Sequence, residues 1–213
     1  MATKKQTSQG AGRRLPDSVR LAVRRYFPTE ISARSAAYYA LPEHLALLRL
    51  RAEAEGRILR WQDVAEDLRR ELDSLSIRVG QGTAFNNSYE LDILLHENVP
   101  FPEKDEDLFT VLRPPIRTVR VSASFLVPYW TLSFLRWSRN KQDEIIIRKV
   151  PQQGLHSTRV VNATSKVLGD HGWKRIPQNL AQTKIPDLDL EHAEMGEVRI
   201  ADIVFGDLDS SPF

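Results

Sequence analysis

The chain has 213 residues, 41% of them hydrophobic and 27% charged, no cysteine, and a formal net charge of +2. That length is enough to bury a core as one domain or as two small lobes. The absence of cysteine excludes disulfides, thiolate metal sites and a cysteine nucleophile. No apolar run approaches the roughly 18 residues of a membrane span. The first lysines are followed by no apolar segment, so no secretory signal is expected, and a cytoplasmic protein is.

The small net charge hides a sorted distribution. Residues 1–25 carry Lys4, Lys5, Arg13, Arg14, Arg20, Arg24 and Arg25 against Asp17, a net of +6. Residues 181–213 carry Asp187, Asp189, Glu191, Glu194, Glu197, Asp202, Asp207 and Asp209 against Lys184 and Arg199, a net of −6. Such blocks either pair with each other or face different charged partners.

In chain order, residues 1–14 are polar and aperiodic and are expected to form a flexible basic tail. Pro16 and Asp17 open a short helix carrying Val19, Leu21, Ala22, Val23 and Tyr26, which ends at Pro28. Thr29 can cap a second helix, with Ala33, Ala36, Ala37 and Ala40 on its packing face. Leu45, Leu47, Leu48 and Leu50 mark a third, broken at Gly56. Trp61, Val64, Leu68 and Leu72 mark a fourth.

Near residue 75 the period changes from helical to alternating. Leu75, Ile77 and Val79 predict one strand and Tyr89, Leu91, Ile93 and Leu95 a second. The proline-rich stretch 97–115 reads as a loop with one helical turn near Asp107 to Leu112. Strands follow at Val119 to Val127 and Trp130 to Phe134, with Pro128 as an interruption, and a hairpin leads to Glu144–Val150. A helix from about His156 to Leu168 stops at Gly169. A last strand is expected through Val198, Ile200, Asp202 and Val204, apolar on nearly both faces and therefore covered. The fold class is α+β: an N-terminal helical layer, then a mostly antiparallel sheet with one C-terminal helix packed on it. After the tail, residues 15–213 read as a single domain, helical over 15–73 and sheet over 74–206.

Phosphate-loop, dinucleotide, nucleophile-elbow and zinc-helix motifs are all missing, so no catalytic residue, metal site or cofactor is assigned. His44, His96, His156, His171 and His192 share no motif. Asp202, inside an apolar strand, needs a partner or an exposed face. The stretch Tyr129 to Arg139 joins two tryptophans with two arginines. Trp130 and Trp137 differ in parity, so strand alternation puts them on opposite faces. If Trp137 is exposed between Arg136 and Arg139, it suits a protein partner or stacking on single-stranded nucleic acid; otherwise both tryptophans are core.

The late arrangement of helix, Gly172-Trp173 turn, proline loop and closing strand resembles small bacterial α+β proteins, toxin-neutralising immunity proteins among them. The missing catalytic motifs, the charged surfaces and the Trp and Arg anchors point to a non-enzymatic protein-binding module, a neutralising, immunity-like partner or a subunit of a bacterial multiprotein assembly, with another protein as partner and no membrane. The residues expected to bind that protein are Trp137, Arg136, Arg139, Asp187, Asp189, Glu191 and Glu194. One alternative is nucleic-acid association through Lys4, Lys5, Arg13, Arg14, Arg20 and Arg24. The other is an enzyme with a non-contiguous acid and histidine site.

Overall fold

A computed structural model describes residues 15–80, 86–191 and 193–206. Helix α1 (Asp17–Tyr26) begins after Pro16, with Asp17 in its first turn and Arg24 and Arg25 in its last, charges that suit the helix dipole. Helices α2 (Pro42–Gly56) and α3 (Ile58–Glu71) follow, with Pro42 at the start of α2, where a missing N–H is harmless. The alanine-marked helix expected over 33–40 does not form. That segment is a series of turns ending in a short 3₁₀ turn, Tyr38–Ala40. Alanine at every third or fourth position carries too little apolar area to hold a helix against the core.

Strands β1 (Leu75–Val79), β2 (Ser88–Glu97), β3 (Ile116–Ser124), β4 (Tyr129–Arg139) and β5 (Ile145–Val150) form an antiparallel meander in chain order. The helical turn α4 (Leu108–Val111) lies in the long β2–β3 connection, and helix α5 (Leu155–Asp170) follows β5. A two-residue strand, β6 (Lys174–Arg175), pairs in parallel with Tyr129 and Trp130 of β4. Two short helices, α6 (Gln178–Ala181) and α7 (Ile200–Phe205), complete the described chain. Helices lie N-terminal, the sheet is central and a helix lies C-terminal, so the protein is α+β.

Both faces of the sheet are used. On one, Leu91, Ile93, Val119, Val121, Trp130 and Phe134 meet Trp61, Val64 and Leu68 of α3 and Val160, Val167 and Leu168 of α5. On the other, Leu94, Ile116, Leu135 and Trp137 pack beneath Leu108 of α4. A third apolar cluster gathers α1, α2, α6 and α7 around Val127 at the β3–β4 turn.

The last apolar segment is a helix, not the expected strand. Ile200, Ile203 and Val204 fit helical spacing as well as they fit a covered strand, and all three are buried. The choice is made locally: Asp202 turns back to accept the Arg199 N–H at 2.7 Å, closing the first turn. Asp202 is therefore a capping residue of α7 and not an acid within a sheet. Its other end is stopped at Gly206, with φ of 82°, where a side chain would meet Asn86 Cα at 3.0 Å.

Candidate functional site

Register in the meander places Arg117 directly opposite Arg136, and Arg136 directly opposite Arg148. The row crosses three adjacent strands on the face that α3 and α5 cover elsewhere, one row beyond Val119, Phe134 and Val150. All three arginines are exposed, and among the described residues none meets a carboxylate. Neighbouring strands lie about 4.8 Å apart, so three like charges fall within about 10 Å. Directly opposed like charges destabilise a sheet. A row of three with no carboxylate bonded to it among the described residues leaves a repulsion that an anion would relieve. The alternation rule places these side chains on one face. That they stand in one row depends on strand register, which the sequence does not show.

The sheet's other charges behave differently. Arg78, Asp92 and Arg120 also stand in cross-strand register, but with alternating sign. Arg120 bonds Asp92 at 2.9 and 3.2 Å, and Arg78 bonds Asp105 at 2.6 Å. Glu90 lies beside them, and its burial raises its pKa against the opposing pull of Arg120. This network satisfies itself and leaves no cation free for a ligand.

Several expected binding residues are structural. Trp137 is not exposed between the arginines: it is 1% exposed, and its indole N–H donates to Thr118 Oγ1 at 2.8 Å. Trp130 is equally buried on the opposite face. Their opposite parity is as expected, but both faces are covered, so both tryptophans are core. Arg139 is held by Asp143 and lies 4.9 Å from the Phe109 ring centre. Of the three, Arg136 alone is exposed with no ion pair or ring contact among the described residues.

The acidic segment is largely a clasp. Asp189, 7% exposed, accepts the Ala33 N–H at 3.0 Å, and Tyr39 donates its hydroxyl to Glu191. The Asp187 carbonyl accepts the Glu30 N–H at 3.1 Å. Only the carboxylates of Asp187 and Glu194 stand exposed without a bond among the described residues. Beside this clasp Tyr38, Tyr39 and His44 form edge-on ring pairs, with His44 5.1 and 5.2 Å from the tyrosines. Arg51 donates twice to Asn87 Oδ1, at 3.1 and 3.0 Å. Burial pushes the Tyr38 hydroxyl up to about 12, and burial with nearby Arg51 lowers the His44 pKa. Through Asp189 and Glu191 these contacts join the helical layer to the C-terminal segment.

Of the basic end, Lys4, Lys5, Arg13 and Arg14 lie outside the described residues, as do the expected tail, Asp207, Asp209 and His192. Arg20 is paired with Asp17 at 2.6 Å, and Arg24 is exposed. Among the described residues no ion pair links the basic residues of α1 to the acidic segment, so the two ends do not neutralise each other there.

The histidines are dispersed. His171 meets Asp67 at 2.8 Å rather than its neighbour Asp170, and His156 lies 3.7 Å from Glu97. His96 accepts the Arg117 N–H at 3.5 Å. An open groove of about 690 Å³ runs along the outer edge of β1, lined by Gln62, Asp63, Glu66, Arg69, Arg78 and Phe101. No histidine lines it, and Arg69 and Arg78 are paired with Glu66 and Asp105. Among the described residues no cluster of three or more acids and histidines could hold a metal ion, and no helix is long and apolar enough to cross a membrane. Comparison with protein-family models, with curated proteins and with solved structures finds no match for this chain.

Proposed function

We propose that this chain is a non-enzymatic protein-binding module, acting in the cytoplasm as a neutralising partner or as a subunit of a bacterial assembly. It holds an acidic segment of its partner on the row Arg117, Arg136, Arg148. The observation that supports this is the row itself: three exposed guanidiniums in register, none with a carboxylate beside it. A carboxylate placed there relieves a repulsion built into the free protein, so binding gains more than a single contact would supply. Arginine also offers planar, paired donors that match carboxylates.

Nucleic acid is the weaker fit. Single-strand binders combine basic grooves with aromatic platforms, and the tryptophan that would have served as one is buried. The test is capture of partners from nuclease-treated host lysate on wild-type protein and on Arg136→Glu. A stoichiometric protein retained by wild type and lost by the variant supports the reading. Partners that vanish with nuclease treatment favour nucleic acid. Equal retention by both proteins removes the row from recognition.

A further inference from the structure

Beside the arginine row lies an open sheet edge. Among the described residues β5 pairs with β4 alone, so its other side is the end of the sheet they form. The bond from the Asn140 N–H to the Glu144 carbonyl, 3.0 Å, sets the phase of the ladder. In an antiparallel pair the bonded residues alternate. Ile146 and Arg148 therefore turn their backbone groups toward β4, while Ile145 and Ile147 turn theirs outward. Among the described residues nothing bonds those outward groups of Ile145 and Ile147. An isoleucine-rich edge is a template for another strand unless it is blunted; β5 holds no proline, its register with β4 has no bulge, and its charged residues, Arg148 and Lys149, lie in its C-terminal half, beyond Ile145 and Ile147.

The side chains along this edge say what kind of strand fits. Ile145 and Ile147 are half-buried on the Trp137 face, packed at the margin of that cluster. Arg148 is exposed on the other face, at the end of the row. An added strand would set apolar residues beside Ile145 and Ile147 and an acid opposite Arg148. The row would then read Arg117, Arg136, Arg148, carboxylate. We propose that the partner's acidic segment is taken up as an added strand on the outer edge of β5, by backbone bonds to Ile145 and Ile147 and an ion pair to Arg148. This rests on the acidic-partner reading above and adds its mode of binding.

A second copy is disfavoured as the occupant: pairing β5 with β5 would bring two arginine rows end to end, adding like charge to like charge.

The probe is a synthetic peptide, acetyl-Thr-Glu-Val-Thr-Val-Thr-amide, with a lysine-for-glutamate version as control. Amide hydrogen exchange on the intact wild-type protein is expected to show at least a tenfold slowing at Ile145 and Ile147 with the acidic peptide and none with the control. Ile147→Pro removes an outward N–H, and Ile147→Ala trims the side chain but keeps it. The proline variant is expected to weaken binding at least tenfold more than the alanine variant, while Arg148→Glu abolishes it. If Arg148→Glu abolishes binding but exchange at Ile145 and Ile147 is unchanged, strand addition is wrong and the acidic-partner reading stands. If exchange slows but Arg148→Glu and Arg136→Glu bind like wild type, the acidic-partner reading is wrong, and the proposal with it. No binding at millimolar peptide overturns the proposal. The wild-type exchange result decides even if the proline variant fails to fold.

Discussion

Arg136 stands directly opposite Arg148 across β4 and β5, both exposed and neither beside a carboxylate among the described residues. A sheet gains nothing from that pairing. On the sheet's other face, across β1, β2 and β3, the same fold alternates Arg78, Asp92 and Arg120 and pairs each of them. The contrast separates charges paired within the fold from charges with no carboxylate beside them among the described residues.

Replacing Arg136 with threonine is therefore expected to stabilise the free protein, by about 0.2–1 kcal/mol, because it removes the middle charge of the row. Urea denaturation measures this. The gain should shrink as salt is raised from about 0.01 to 0.5 M, since exposed charges are screened. A destabilised variant would mean that the arginines are held by contacts that outweigh their repulsion.

Trp137→Ala is expected to destabilise by about 3–5 kcal/mol, the range for emptying a large buried aromatic site. It also leaves Thr118 without its indole donor. Chemical denaturation should show the loss without any ligand present. A variant of wild-type stability would contradict the buried position.

The acidic segment should divide in two. Asp189→Ala leaves the Ala33 N–H without its acceptor, at a cost of about 1–3 kcal/mol. The double variant Asp187→Lys, Glu194→Lys changes exposed carboxylates only and should leave the melting temperature within about 2 °C of wild type. Thermal melts of the two proteins make the comparison.

Two groups should shape the pH dependence in opposite senses. The His44 pKa is lowered, chiefly by burial, so the unfolded chain takes up the proton first. Its contribution is fully present above the ordinary value of 6.5 and is lost as pH falls toward the folded pKa. His44→Phe should flatten the stability profile below pH 6.5. The Glu90 pKa is raised by burial, so the folded chain holds that proton more tightly, and ionisation at neutral pH costs stability. Glu90→Gln should raise the melting temperature at pH 7 and lose that advantage below pH 4.5, the ordinary carboxyl value. Melting curves across that pH range check both signs.

Strands β1 to β4 are legible because they largely alternate apolar and polar residues, β5 because a run of isoleucines follows a polar turn, and α2, α3 and α5 because their apolar residues recur at helical spacing. Two elements are not. The alanines at 33–40 carry the right period with too little area behind it. The segment Val198 to Phe205 is apolar throughout, so it fits either period, and one capping bond from Asp202 settles it.

By itself the sequence determined the class of fold, the order of the main helices and of strands β1 to β5, and the opposite facing of Trp130 and Trp137, since all three follow from local residue pattern. It did not determine which charges were available. Periodicity leaves Trp137 either exposed between Arg136 and Arg139 or in the core, and it places Asp189 among the acids facing a partner; the fold buries Trp137 in the cluster with Leu108 and bonds Asp189 to the Ala33 N–H. Exposure depends on what the rest of the chain lays over a residue, and register depends on how separate strands slide past one another. Only the tertiary structure decided those. It buried the tryptophan, tied down Asp189 and Glu191, and left Arg117, Arg136 and Arg148 side by side.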